Sequence, residues 1–131
     1  MNLLLYNDLP ETTLSERLRK AKLIYGINQK DLARKTGLSE ASINKLEAGY
    51  RDTININTLK KLLSVLDSNI ILDYYLSYIL NQGNNIKELI YKYGITRICE
   101  PLQCHRSTID RYRDNKYQIP HDKYEKLKDL L

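Results

Sequence analysis

Between Gln29 and Gly49 the chain reads QKDLARKTGLSEASINKLEAG, two short helical patterns parted by a single glycine. Leu32 and Ala33 are the inward positions of the first pattern, Ile43 and Leu46 those of the second, and Leu38 lies between them. Two helices that cross at about 90–120° through a short turn touch closely. A small side chain at Ala33 permits that approach, Gly37 permits the tight turn, and Ser39 is a favourable N-cap for the helix that follows. Gly49 then suits the left-handed position just past a helix end.

On the N-terminal side, Leu14, Leu18, Ala21 and Ile24 or Tyr25 recur at spacings of three and four, which predicts a helix from Leu14 that closes near Gly26. Thr13 and Glu16 stand at capping-box spacing and Pro10 blocks an earlier start, so residues 1–12 read as an arm. On the C-terminal side, Asn57 or Thr58 starts a fourth helix with Leu59, Leu62, Leu63 and Leu66 on one face. Residues 69–80 are the most apolar stretch, and Asn81-Gln82-Gly83-Asn84 reads as a turn, so 69–84 is expected to be a connecting helix and linker. Asn85 and Glu88 repeat the cap-plus-acid spacing, Gly94 marks another break, and Pro120 opens a last helix carrying Tyr124, Leu127 and Leu130.

The stretch from Gln29 to Gly49 resembles the helix-turn-helix of Cro and repressor-type (XRE-like) regulators, a likeness that extends over roughly Leu14 to Leu66. The pattern then recurs. At an offset of 66, Leu32 falls on Ile98, Ala33 on Cys99, Leu38 on Cys104, Ile43 on Ile109, Leu46 on Tyr112 and Gly49 on Asn115. Upstream the register slips by two, because Tyr25-Gly26-Ile27 matches Tyr93-Gly94-Ile95. The second copy, Tyr93 to Tyr112, resembles a Cro-like helix-turn-helix in tandem with the first. It departs at Gln103, which replaces Gly37, and at Pro101, which removes a helical hydrogen bond and is expected to make its helix start late or kink. The alternative is a helical cap that merely covers the first unit.

In this motif the third helix enters the major groove with its N-terminal residues at the base edges. The resemblance therefore implies base reading by Ser39, Glu40, Ala41, Asn44 and Lys45 in the first unit, and by His105, Arg106, Ser107, Asp110 and Arg111 in the second. Phosphate contacts are expected from Gln29, Tyr50 and Arg51, and from Thr96, Arg97, Arg113 and Lys116. Each of these residues has a plainer reading as part of a solvated helix face.

Composition bounds the rest. With 131 residues, 5 glycines and 3 prolines, the chain suits an all-α protein of two small domains. The net charge of +5 is shared: 11 basic against 8 acidic residues up to Asn69, and 10 against 8 beyond it. That balance fits a polyanion partner without demanding one. Cys99 and Cys104 fall on core positions of the repeat, and Cys99-x4-Cys104-His105 with a distant His121 is no familiar zinc pattern, so no metal and no cofactor are expected. No nucleophile–base arrangement stands out, which argues against an enzyme. With 11 tyrosines and neither Phe nor Trp, tyrosine is expected to fill core positions, with Tyr25, Tyr75, Tyr112 and Tyr124 inward. Neither a signal peptide nor a membrane span is visible, which leads to the expectation of a cytoplasmic protein, nucleoid-associated when bound.

The reading is thus an arm over 1–12, an XRE-type helix-turn-helix domain over 13–68, a connecting helix and linker over 69–84, and a Cro-like helix-turn-helix domain over 85–131. The function implied is sequence-specific binding of double-stranded DNA as a transcription regulator. The resemblance implies a repressor of the phage or mobile-element kind. The alternative is a protein-interaction module, such as an antitoxin or antirepressor-like adaptor. The 69–80 stretch either packs the two halves together or forms a homodimer surface, with Leu3-Leu4-Leu5 of the arm as its partner.

Overall fold

A computed structural model describes residues 6, 8–49 and 54–131, and every regular element among them is helical. The chain divides into two units, Met1–Leu72 and Asp73–Leu131.

The first unit holds α1 (Leu14–Tyr25), α2 (Gln29–Thr36), α3 (Glu40–Glu47), α4 (Ile56–Leu63) and α5 (Ser68–Ile71). The capping box at Thr13 and Glu16 forms in both directions, which satisfies backbone amides that no helical carbonyl can reach. Leu18, Leu32, Ile43, Leu59, Leu62 and Ile71 are fully buried side chains of its core, each worth about 1.5–3 kcal/mol of transfer free energy. α1 packs on α3 and α5, and α2 packs on α3. Arg17 of α1 is itself buried and donates from Nε to the Ile71 carbonyl at 2.9 Å, which ties the last turn of α5 to the first helix.

The second unit holds α6 (Tyr74–Leu80), α7 (Gln82–Tyr93), α8 (Ile95–Leu102), α9 (Arg106–Arg113) and α10 (His121–Leu127), closed by a 3-10 turn, Lys128–Leu130. α7 packs on α8 and α9, α8 on α9, and α10 on α8. Ile86, Ile98, Leu102, Ile109, Ile119 and Leu127 are buried. Beside them Tyr75 donates to the Ile119 carbonyl at 2.6 Å and meets Tyr124 edge-on, with ring centroids 5.5 Å apart. Tyr78 lies against the same Tyr124 ring, and its hydroxyl is buried with no hydrogen-bond partner. Burial raises the Tyr78 phenol well above its ordinary range.

Three consecutive helices of the first unit have counterparts of equal length and order in the second. α2 and α8 have the same length at an offset of 66, and so do α3 and α9. α1 and α7 match at an offset of 68. The two-residue slip is absorbed between the first and second helices: Gly26, Ile27 and Asn28 separate α1 from α2, whereas Gly94 alone separates α7 from α8. Backbone dihedrals repeat as well. Gly37 (φ 78°) and Gln103 (φ 50°) are left-handed, as are Gly49 (φ 78°) and Asn115 (φ 58°). Ser39 and His105 cap α3 and α9 at nearly the same extended dihedrals.

One close approach also recurs. In the first unit the Ser15 hydroxyl donates to the Glu47 carbonyl, the last of α3. Its counterpart on α7 is Gly83, where a Cβ would lie 2.8 Å from the Arg113 carbonyl, the last of α9. A polar side chain makes this contact in one unit, and bare backbone makes it in the other.

Several expectations need correction. The apolar stretch 69–80 is not one connecting helix. Leu72 is extended and the Asp73 side chain accepts from the Leu76 amide, so α5 ends in the first unit and α6 starts in the second. Ile70, Ile71, Tyr75, Leu76 and Ile79 from this stretch are buried, while Tyr74 is exposed. Asn81-Gln82-Gly83-Asn84 is the start of α7 rather than a turn, and Asn85 is inside that helix. The fourth helix begins at Ile56, because Asn55 caps the Thr58 amide at 2.8 Å. α8 does not start late. Pro101 is its seventh residue of eight, so the missing amide affects only its last turn. Tyr25 is exposed, with Lys35 over its ring, whereas Ile24 is buried. Cys99 and Cys104 are half-buried free thiols rather than fully buried, and burial pushes the Cys104 thiol up. The Leu3-Leu4-Leu5 segment of the arm lies outside the described residues.

Candidate nucleic-acid interface

The turn between α2 and α3 leaves the start of α3 facing solvent. Ser39, Glu40, Ala41, Asn44 and Lys45 are all exposed, whereas Ile43 and Leu46 of the same helix are buried. The helical period accounts for this division, since Ile43 and Leu46 lie on the stripe that packs against α1 and α2. Ser39 is committed locally: its hydroxyl accepts from the Ser42 amide at 3.0 Å and lies 2.8 Å from the Ser42 hydroxyl. No hydrogen bond or ion pair engages the side chains of Glu40, Asn44 or Lys45 among the described residues.

Gln29, at the head of α2, is half-buried, and its side chain has an internal partner. Its Nε2 donates to Glu47 Oε2 at 2.6 Å, and Glu47 also pairs with Lys22 of α1. Both charged partners are largely buried, at 12% and 15% side-chain exposure. This cluster ties the head of α2, the end of α3 and the last turn of α1 together. The backbone amides of Gln29 and Lys30, at the open end of α2, are without helical acceptors, because an α-helix leaves its first amides unpaired. Asn28 takes the Asp31 amide at 2.8 Å. Tyr50 and Arg51 lie outside the described residues.

On α9 the corresponding face is more basic. His105 and Arg106 are exposed at its start, Ser107 is half-buried, and Arg111 is exposed with its guanidinium 5.5 Å from the Tyr117 ring centroid. His105 caps the helix through Nδ1, which accepts from the Ser107 amide at 3.1 Å. That bond requires a bare Nδ1, so in the neutral ring the proton sits on Nε2. Asp110 pairs with Arg113 at 3.1 Å, and Arg113 also reaches Asp114 at 3.1 Å. The guanidinium beside Asp114 holds that carboxyl below its usual range. Asp110 and Arg113 thus satisfy one another instead of pointing unpaired into solvent. Arg106 has no such partner among the described residues.

At the head of α8, Thr96 and Arg97 are exposed, and Arg97 stands over the Tyr93 ring at 5.6 Å. With Gly94, Ile95 and Glu100 these residues line a shallow surface pocket. No side chain caps α8, because the slip removes the counterpart of Asn28. Lys116 is exposed beyond α9, in a loop held by the buried Gln82. The Gln82 amide donates to the Tyr112 and Tyr117 carbonyls at 3.0 and 2.8 Å and accepts from the Ile119 amide at 2.8 Å. Sequence reasoning assigned 82–84 to a turn and so missed this anchor.

Residues 18–71 are similar to the family described as helix-turn-helix. The match runs from the first turns of α1 to the end of α5, and so covers 54 of the 131 residues. Neither curated proteins nor solved structures gave a match to the chain. No helix among the described residues is long and apolar enough to cross a membrane.

Proposed function

We propose that this chain is a sequence-specific regulator of transcription that binds double-stranded DNA through two helix-turn-helix units, α2–α3 and α8–α9, and acts as a repressor. The observation that carries the proposal is the repeat itself. α8 and α9 reproduce the lengths and the left-handed turn positions of α2 and α3, and α9 reproduces the side-chain N-cap of α3. A cap that only covered the first unit would have no need of the same pair of helices ending in the same turn.

In this reading α3 and α9 lie in the major groove with their first turns at the base edges. Glu40, Ala41, Asn44 and Lys45 read from α3. Arg106 and Arg111 read from α9, joined by the free Nε2–H of His105. Ser39, Ser107 and Asp110 hold their helices in shape more than they reach bases, since each is engaged within its own unit. Phosphates meet the open amides at the heads of α2 and α8, together with Thr96, Arg97 and Lys116. Gln29 contributes through its backbone, because its side-chain amide is bound to Glu47. Arg113, paired with Asp110 and Asp114, adds little.

The reading faces of α3 and α9 carry only Lys45, Arg106 and Arg111 as cations without an ion pair among the described residues, so the electrostatic share of binding is modest. The logarithm of affinity falls with the logarithm of salt at about 0.9 per phosphate neutralised. Titrating the full chain against genomic and random duplexes at two salt concentrations tests the proposal. Particular fragments should be selected and should stay bound as salt rises, with a slope of only a few phosphates. Weak, unselective binding that vanishes with salt would refute it. A reporter placed behind a selected fragment should fall when the protein is expressed, and a rise would overturn the repressor assignment.

A further inference from the structure

The two reading faces occupy equivalent positions on equivalent helices, and both keep a cation at Lys45 and Arg111, yet they are opposed in charge at the first helical residue. At the offset of 66, Ser39 corresponds to His105, Glu40 to Arg106, Ala41 to Ser107, Asn44 to Asp110 and Lys45 to Arg111. The first helical residue is the decisive one. Glu40 begins α3 and Arg106 begins α9, both are exposed, and neither has an internal ion-pair partner among the described residues. A carboxylate only accepts hydrogen bonds, and at a base edge it finds its donor on the amino group of cytosine. A guanidinium only donates, and it matches the two acceptors of guanine. The capping residues differ in the same sense. The Ser39 hydroxyl is spent on the Ser42 amide and hydroxyl, whereas His105 caps with one ring nitrogen and presents an N–H with the other. Asn44 is open to pair with adenine, while its counterpart Asp110 is withdrawn by Arg113.

From this we infer that the two units read unlike DNA elements, so that one chain recognises a composite site: a guanine-bearing element under α9 and a different element, with cytosine opposite Glu40, under α3. The inference rests on the DNA-binding reading above and goes beyond it. Two copies of one motif on one chain would ordinarily be expected to recognise two copies of one sequence. The opposed groups at Glu40 and Arg106 disfavour that arrangement, because in a repeated element Arg106 seeks guanine at the position where Glu40 seeks cytosine on the same strand.

Selection of bound duplexes from a random pool, followed by sequencing, tests this with the full chain and the exposed-site variants Arg106→Ala, Glu40→Ala and Glu40→Arg. The wild type should enrich two dissimilar elements. Arg106→Ala should flatten preference at one guanine, by roughly 10- to 100-fold in base discrimination, and leave the other element untouched. Glu40→Ala should relax one position in the other element, and Glu40→Arg should turn that position towards guanine. Enrichment of two copies of a single element, direct or inverted, overturns the inference while leaving DNA binding intact. So does relaxation of the same position by Arg106→Ala and Glu40→Ala. Failure to enrich any sequence overturns the DNA-binding reading itself.

Discussion

Replacing Gly83 by alanine isolates the contact that holds α9 against α7. Gly83 lies inside α7 at a helical backbone conformation, so alanine meets no dihedral penalty and gains about 1 kcal/mol in helix propensity. Against that gain stands the space. The added Cβ would lie 2.8 Å from the Arg113 carbonyl, and 2.7 Å and 3.2 Å from the two polar atoms of the Asn115 side chain. Ordinary contact begins near 3.4 Å, so α7 and the end of α9 must part by about half an ångström. The Asn115 amide can swing away, but the carbonyl cannot, because it is backbone at the end of α9. Overpacking of this kind costs about 2–3 kcal/mol, which leaves a net loss of about 1–2 kcal/mol. For a unit of about 60 residues that lowers the melting temperature by about 5–10 °C, measurable by circular dichroism on the full chain. Adding Asn115→Gly to the same chain should recover only part of the loss, since the carbonyl remains. Ser15→Ala, which deletes the equivalent contact in the first unit, should cost about 1 kcal/mol. A Gly83→Ala protein that melts at or above the wild-type temperature would show that propensity outweighs the close approach, and the reasoning would fail.

Two further substitutions should stabilise the protein. Gln103 is left-handed and exposed, so Gln103→Gly relieves a strain of about 1 kcal/mol and should raise the melting temperature; a decrease would mean that the Gln103 side chain makes contacts worth more than its backbone strain. Tyr78→Phe removes a buried hydroxyl without a partner and should gain up to about 1 kcal/mol in chemical denaturation, whereas a loss would reveal a partner for that hydroxyl.

The elements of the first unit were legible because local signals agreed. The capping box at Thr13, the caps at Asn28 and Ser39, and the glycines at 26, 37 and 49 all punctuate one helical period. The two-residue slip near Gly94 could also be read, since Tyr-Gly-Ile occurs in both copies. What escaped was set by tertiary contact. Asn81-Gln82-Gly83-Asn84 carries every mark of a turn, yet it is helical, because Gly83 admits the Arg113 carbonyl and Gln82 anchors the loop after α9. The start of α4 was misjudged by one or two residues, because asparagines at 55 and 57 compete for the cap, and buried Ile54 favours the first. At the site, helical period alone told which residues face outward. It could not tell that Glu47 takes the Gln29 amide or that Arg113 takes Asp110, since those pairings depend on how side chains meet in three dimensions.

The joint at Gly94 carries a consequence for how the two units differ. Three residues link the first two helices of one unit and a single glycine links those of the other, yet the downstream helices keep identical lengths. The difference of two residues at this joint thus leaves the lengths of the helices beyond it unchanged. The outward residues of α3 and α9 differ at all five paired positions while the helices keep their lengths, so the length of the joint and the chemistry of the exposed face vary separately within this one chain.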